Sequence, residues 1–162
     1  MLVSNKGVNQ LKLDLRGRVN NIYLPKTKAL SPLFEAIVNS LQALEDIQDN
    51  RKAQIKIYVR RDNAQGTLAI DEGNNSPIQG FVVEDNGKGF TTENYNAFET
   101  SDTTKKQEKG GRGVGRFLWL KAFDKVRIES NYREGGESFF RAFDFTLNDE
   151  EGIINQQFKK SE

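Results

Sequence analysis

The stretch from Ser31 to Ile47 predicts one amphipathic helix, and this helix constrains the fold more than any other feature of the sequence. Ser31 followed by Pro32 is typical of a helix start, because the serine hydroxyl can cap backbone N–H groups and proline fits the first helical position. At about 100° per residue, one broad and mostly apolar face is expected to point into a core. This face consists of Leu33, Phe34, Ile37, Leu41, Leu44 and Gln48.

The other side of the helix carries a narrow line of polar residues, which are Glu35, Asn39, Gln42 and Asp46. Ala36 and Val38 border this line, where a fully solvated face more often carries charges. A polar line between apolar neighbours indicates the wall of a pocket. The alternative is an amphipathic helix with one solvated face, which is the commoner structure, so the helix alone does not decide between the two.

The composition is that of one folded domain. The 162 residues are 36% hydrophobic and 29% charged, and no apolar run approaches the roughly 18 residues of a membrane helix. The first ten residues lack the apolar core of a secretory signal, so we expect a cytoplasmic protein with no membrane partner. The absence of Cys and His excludes disulfides, zinc sites of the usual kind, a histidine-based triad and autophosphorylation on histidine within the chain.

Positive charge is concentrated in one segment, although the whole chain carries a net charge of only +1. Between residues 105 and 125 the basic residues are Lys105, Lys106, Lys109, Arg112, Arg116, Lys121 and Lys125, against the acidic Glu108 and Asp124. This excess surrounds a cluster of glycines, a combination that can hold an anionic ligand. A solvated loop is the alternative that charge alone favours.

The remaining pattern predicts strands joined by glycine turns. Residues 54–61 alternate with period two, which indicates a strand with Ile55, Ile57 and Val59 inward. A continuous apolar run at 80–85 indicates a buried strand that ends at Asp85, before a Gly-x-Gly turn. Further expectations are a weak strand or arm at 11–15, a surface hairpin or loop at 62–79, a helix at 91–98, a loop at 99–110, a helix at 116–123, and strands at 125–132 and 137–147 around the turn 133–136.

Three motifs now stand in a fixed order: Glu-x-x-x-Asn on a helix, Asp-x-Gly-x-Gly after a strand, and Gly-x-Gly-x-Gly before a helix. From Ser31 to Ser130 the chain resembles the GHKL superfamily of ATPases, which includes DNA gyrase, the ninety-kilodalton heat-shock chaperones, MutL-type proteins and histidine kinases. The runs Gly113–Phe117 and Ala122–Val126 look closest to the chaperone branch. The resemblance implies an α/β (α+β) fold: a two-layer sandwich of a mixed, mostly antiparallel sheet with helices on one face, the Bergerat ATP-binding fold.

The resemblance also implies a role for individual residues. Glu35 matches the catalytic residue that activates water, Asn39 the Mg²⁺ ligand, and Asp85 the acid that reads adenine. Gly87 and Gly89 match the turn beneath the base, and the glycines from Gly110 to Gly115 match the end of the ATP lid that faces the phosphates. The expected ATP-binding residues are Asn39, Ala43, Asp85, Gly87, Gly89, Lys105, Gly110, Gly111, Arg112, Gly113, Val114 and Gly115.

The chemistry of ATP needs these residue types independently. Adenine carries an exocyclic amino donor, so the carboxylate of Asp85 can distinguish it from guanine, while glycines let the backbone approach the ring. Mg²⁺ commonly takes one or two protein ligands plus phosphate oxygens, so Asn39 alone suffices. A helix dipole contributes only about 0.3 to 2 kcal/mol, so backbone N–H groups and one or more of Lys105, Lys106, Lys109 and Arg112 must also hold the phosphates.

Two departures from the family pattern affect these expectations. Gln42 stands where the chaperone and MutL pattern usually has Asp, which puts an accessory contact at the adenine pocket in doubt. The family commonly closes its pocket with a later Gly-Thr turn and strand, and none is predicted before Glu162. We therefore expect residues 1–162 to be a single ATP-binding domain, with an arm at 1–30 and a lid at about 91–115, from the N-terminal part of a longer protein.

The leading functional hypothesis is an ATPase whose nucleotide state orders the lid and drives homodimerisation or partner engagement. A histidine kinase is disfavoured by Glu35, because a kinase must transfer the phosphoryl group without losing it to water. A nucleotide sensor that binds without turnover remains an alternative. A nucleic-acid module built on the basic segment is disfavoured because that segment has no interleaved aromatic residues, so nucleic acid is expected only through other domains.

Overall fold

The computed structural model of the chain describes residues 14–45, 52–62, 76–100, 115–148 and 152–161. These residues form a mixed fold of helices and antiparallel strands, as the sequence predicts. The helices are α1 (Leu15–Asn20), α2 (Ser31–Glu45), α3 (Thr92–Glu99) and α4 (Gly115–Ala122), and the strands are β1 (Ile55–Arg61), β2 (Ile78–Asp85), β3 (Lys125–Glu134), β4 (Glu137–Thr146) and β5 (Ile153–Ser161).

The described strands form two antiparallel sheets, whereas the sequence predicts one mixed sheet. β1 pairs with β2, and β3, β4 and β5 follow one another in a second sheet. The β3–β4 hairpin agrees with the prediction, because Gly135 and Gly136 supply the positive φ angles of 59° and 82° that its turn needs. The two sheets are held together through the helices.

β5 corrects the expectation that no strand follows the β4 region. Its sequence shows little alternation, since polar residues separate Ile153 and Ile154 from Phe158. Its pairing with β4 is also irregular between Ala142 and Asp144, and Asn155 has a positive φ of 54°. A bulged edge strand of this kind is stabilised by its neighbour more than by its own pattern, so sequence periodicity does not reveal it.

At the N-terminus Leu15 begins a helix and not a strand, whereas the rest of the leucine alternation lies outside the described residues. The side chain of Asp14 accepts a hydrogen bond of 2.9 Å from the Gly17 N–H group and caps α1. Val19, which is 2% exposed, then enters the core. Because Asp14 caps α1, Leu15 is helical, although the leucine spacing is that of a strand.

The main core lies between the inner face of the β3–β5 sheet and three helices. Phe98 of α3 occupies its centre, with ring contacts to Phe143 and Phe145 of β4 at 5.3 and 5.1 Å between centroids. The buried members of this core are Val19, Phe98, Phe117, Leu120, Phe143 and Phe145. Burial of large aromatic side chains supplies most of the stabilisation of a sheet covered by such short helices.

α2 buries a face that overlaps the predicted one only in part, since Leu44 is buried and Leu33 and Ile37 are partly buried. Phe34 is 57% exposed and Leu41 is 49% exposed, whereas Ser40 is buried beside Leu44. The cause is tertiary packing, since α2 lies against α4 on one side and against β2 on another, where Glu35 contacts Gly115 and Ser40 contacts Asp85. The predicted inward face of β1 is likewise wrong in part, because Ile57 and Val59 are nearly half exposed.

Within the described residues, no helix is both long enough and apolar enough to cross a membrane.

Candidate functional site

Asp85 ends β2 with both carboxylate oxygens engaged by the chain itself. Its Oδ2 accepts a hydrogen bond of 2.7 Å from the hydroxyl of Ser40 on α2, and its Oδ1 accepts one of 2.9 Å from the Gly87 N–H group. The carboxylate is thereby held in one orientation while the residue stays solvent-exposed. Each oxygen retains a lone pair, so Asp85 can accept a further donor from a ligand.

Gly87 lies directly against Ala43 of α2. A Cβ atom on Gly87 would come within 2.7 Å of the Ala43 Cβ and 2.8 Å of the Asp85 Oδ1. The next residue, Lys88, donates its backbone N–H to the Ala43 carbonyl at 3.1 Å. Only glycine fits at this position, which explains the first glycine of the predicted turn by packing.

Gly89 is required both by its conformation and by its surroundings. Its φ is +76°, and a Cβ atom would come within 2.9 Å of Ser130, Asn131 and Tyr132 on β3. The hydroxyl of Ser130 accepts a 2.8 Å hydrogen bond from the N–H group that follows Gly89 in the chain. The turn after Asp85 is therefore fixed to both sheets and leaves bare backbone at its surface.

Glu35 lies at the first turn of α4. Its carboxylate is in contact with Gly115, at the point where any side chain on that residue would collide with it. A carboxylate is favoured at a helix N-terminus by the free N–H groups and the helix dipole. The structure thus brings together Glu35 and Gly115, two residues that the sequence assigns to catalysis and to phosphate binding.

Arg116 fixes the position of α4 relative to α3. The buried guanidinium donates hydrogen bonds to the carbonyls of Ala97 and Thr100 at 3.3 and 3.2 Å, at the C-terminal end of α3. It also packs over the Phe98 ring at 5.2 Å.

The indole N–H of Trp119 donates to the Pro32 carbonyl at 3.0 Å, which joins α4 to α2. Core contacts of α4 with α2 and α3 therefore hold α4 where it contacts Glu35.

α2 connects the two ends of the predicted site. Glu35 and Ala43 are two turns apart, which is about 12 Å along the helix axis. Asn39 lies midway between them and is partly buried. One end of the helix meets the Asp85–Gly89 turn and the other meets the start of α4, so a long ligand lying along α2 would contact both.

The other predicted phosphate-binding residues lie outside the described residues. These are Lys105, Gly110, Gly111, Arg112, Gly113 and Val114. Most of the predicted lid falls in the same gap. Of the predicted site, the structure therefore describes Glu35, Asn39, Ala43, Asp85, Gly87, Gly89 and Gly115.

Sequence reasoning missed Ser40 and Ser130, two hydroxyls that fix the Asp85–Gly89 turn. Ser40 holds the carboxylate of Asp85, and Ser130 supports the backbone next to Gly89. The signal for Ser40 was its place about 20° from Leu33 around α2, at the edge of the predicted apolar face, where a hydroxyl is the exception. Ser130 gives no such signal, because its partner is distant in sequence.

A second polar cluster lies away from this site, on the outer face of the β3–β5 sheet. The side chain of Asp144 is 6% exposed, accepts from Asn155 at 2.7 Å and pairs with Arg127 at 3.2 Å. These contacts, the hydrogen bond from Asn155 first, hold the pKa of Asp144 below its usual value. An open cavity of about 500 Å³ borders the cluster, and three of its lining side chains, Lys125, Arg127 and Asn155, are paired with Asp144.

Metal ligation at the predicted site would rest on Asn39 alone. No group of three or more acidic side chains converges anywhere in the described part of the chain. Mg²⁺ does not need one, because it keeps much of its water and takes phosphate oxygens as ligands. The chain matches no protein-family model, and no curated protein is significantly similar to it.

Proposed function

We propose that this chain is the Mg²⁺-dependent ATP-binding and ATP-hydrolysing domain of a Bergerat-type (GHKL) ATPase. One observation carries the proposal: α2 contacts Gly115 through Glu35, and Asp85 and Gly87 through Ser40 and Ala43. Three motifs that are far apart in the sequence thus meet along one helix, in the order in which a nucleotide lying along it would contact them. Glycines occupy the points where a Cβ atom would collide with other atoms of the chain.

Adenine recognition is assigned to Asp85 and the turn after it. The carboxylate is already oriented by Ser40 and Gly87, so accepting the exocyclic amino group costs no reorganisation. Guanine presents a carbonyl oxygen at the same position and would face the carboxylate with no proton between them. ATP is therefore the expected nucleotide, and GTP the expected non-ligand.

Hydrolysis is assigned to Glu35, and magnesium ligation to Asn39. A bound Mg²⁺ ion would neutralise phosphate charge, with the side-chain oxygen of Asn39 as its protein ligand. Glu35 lies one turn away on the same side of α2 and can hold a water or accept its proton. The homodimerisation that the resemblance implies belongs to the same proposal.

Isothermal titration with ATP, ADP and GTP, each with Mg²⁺ or with EDTA, tests the nucleotide assignment. ATP and ADP are expected to bind and GTP to bind at least tenfold more weakly. Asp85→Asn should abolish adenine-nucleotide binding, because the amide would present a donor to the amino group. Glu84→Gln is the matched control, since Glu84 is the adjacent acid but points to the opposite face of β2.

Two results would overturn the proposal in different ways. Near-parental ATP affinity in Asp85→Asn would show that the adenine pocket is assigned wrongly. Tight ATP binding without phosphate release, at any protein concentration, would replace the hydrolase with a nucleotide sensor.

A further inference from the structure

The solvent face of the β1–β2 sheet carries an alternation of cations and one aromatic ring. Lys56, Tyr58 and Arg60 point to this face because successive residues of a strand alternate sides. α2 packs against the opposite face at its Asp85 end, as the bond from Ser40 to Asp85 requires, while Ile57 and Val59 on that face stay nearly half exposed. We call Lys56, Tyr58 and Arg60 the basic face; all three are exposed.

Tyr58 presents its ring rather than burying it. It is 47% exposed, and its cross-strand partner is the smaller Val82. Arg60 lies opposite Gly80, around whose Cα the space is open, with no atom within 4 Å of the position of a Cβ. A flat ligand can therefore reach the ring from the side of Gly80.

Although the basic segment between residues 105 and 125 predicts no nucleic-acid binding, we propose that the basic face binds single-stranded nucleic acid, in addition to the proposed nucleotide site on the other side of the sheet. Lys56 and Arg60 are about 13 Å apart along the strand with Tyr58 midway, a spacing that allows phosphate contacts on either side of one stacked base. Charge complementarity selects a polyanion, and the exposed ring selects one with unpaired bases. Duplex DNA offers phosphates but no free base faces.

One acidic residue opposes this binding and makes the proposal easy to test. Glu84 lies across from Lys56, and its Oε2 is 3.4 Å from the Tyr58 hydroxyl. Its negative charge repels phosphate and partly neutralises Lys56. Glu84→Gln is therefore expected to strengthen binding, an outcome that a purely structural role for these residues does not produce.

Fluorescence anisotropy with a short labelled oligothymidine, at several salt concentrations, tests the proposal. Two phosphate contacts predict a slope of about −1.4 in log K against log salt, and Lys56→Ala should reduce it by about 0.7. Tyr58→Ala should weaken binding roughly 5- to 150-fold, the loss expected for one stacked base. Tyr58→Phe keeps the ring and should bind like the parent.

Arg133→Ala is the matched charge control, since Arg133 is an exposed cation on the hairpin of the other sheet. Circular dichroism confirms that each variant is folded. The proposal is overturned if no binding occurs, if Tyr58→Ala binds as the parent does, or if an equally charged duplex binds as well as the single strand. Poly-glutamate binding that depends equally on Tyr58 would assign the face to acidic peptides instead.

Discussion

At the scale of single residues, the contact between Glu35 and Gly115 places a carboxylate where the phosphates of a bound nucleotide would meet α4. The negative charge there opposes binding of a triphosphate, and in the proposed function it acts on water in the transition state. Glu35→Ala is therefore expected to bind ATP as well as the parent or better. Its steady-state phosphate release should be about 10² to 10⁴ times slower.

Glu45→Ala is the control for Glu35, because Glu45 is the exposed acid at the last residue of the same helix. It should change neither affinity nor rate. Parental turnover in Glu35→Ala would remove the catalytic role, and a loss of ATP affinity would show that Glu35 acts in binding.

Asp144 predicts how the stability of the chain changes with acid. The pKa of its carboxyl is lowered in the folded protein, first by the hydrogen bond from Asn155. A lowered pKa means that the stabilisation is present above the unfolded value of about 3.9 and is lost as the pH falls below it. Asp144→Asn should thus lower the free energy of unfolding by about 1 to 3 kcal/mol at neutral pH.

Urea denaturation of both proteins across the acidic range measures this difference. It should shrink as the pH falls below about 4 and disappear only below the lowered pKa of the folded state, where the parent carboxyl is protonated as well. Asp124→Asn, a change at an exposed acid just before β3, supplies the control and should alter stability little at any pH. A difference that persists unchanged at acid pH would show that the contribution of Asp144 is packing rather than charge.

At the scale of elements, the backbone of the turn after β2 approaches α2 so closely that no side chain fits between them at Gly87. Gly87 has no room for a Cβ atom because of Ala43 and Asp85. Gly87→Ala should therefore weaken ATP binding at least tenfold and destabilise the fold. Ala43→Gly costs about 1 kcal/mol as a helix-interior glycine. It also removes the Ala43 Cβ, which is the atom nearest to a Cβ on residue 87.

The double variant Gly87→Ala, Ala43→Gly is expected to be less impaired than the sum of the single changes. A coupling of about 0.5 to 3 kcal/mol, measured by urea denaturation and ATP titration, is the expected range for residues in contact. Gly80→Ala serves as the control, because its Cβ would meet nothing within 4 Å. Strict additivity in the Gly87 and Ala43 cycle would argue against this packing.

The elements also show how far the sequence predicts the structure. The period-two pattern of β1, the apolar run of β2 and the glycine turn between β3 and β4 set those elements locally, so their positions agree with expectation, although β2 is only partly buried where its apolar run predicts a buried strand. The buried face of α2 could not be predicted, because two neighbours cover it and turn Ser40 inward at the expense of Phe34. β5 depends on pairing with β4, which local periodicity does not encode.

The candidate site shows the same division. Gly89 follows from a backbone requirement that a motif expresses directly, whereas Gly87 is required by packing against Ala43 and Ser130 joins the turn through a tertiary contact. The spacing of Glu35, Asn39 and Ala43 predicts one side of a helix, and the structure adds what each end of that side touches. Sequence predicts the residues of a site best where each acts through its own backbone or helix.

At the scale of the whole molecule, α2 lies against the β1–β2 sheet and also contacts α4, which packs on the β3–β5 sheet. A ligand lying along α2 would bridge the turn after β2 and the start of α4. Because such a ligand binds the folded state and not the unfolded state, it would stabilise the whole chain. At a ligand concentration about 100 times the dissociation constant the gain is about 2.7 kcal/mol. For a domain of this size, Mg-ATP should raise the melting temperature by about 5 to 10 °C.

Hydrogen exchange then distinguishes this bridging from local binding. Mg-ATP should slow exchange at both ends of the site, in the Gly87–Phe90 turn and in the first turn of α4, because one ligand contacts both. The hairpin turn at Gly135 and Gly136 serves as an internal reference and should not change. Asp85→Asn should abolish both the thermal shift and the protection. Protection of the Gly87–Phe90 turn alone would mean that the ligand does not extend along α2 to Glu35, and the catalytic assignment would then fail even though adenine binds.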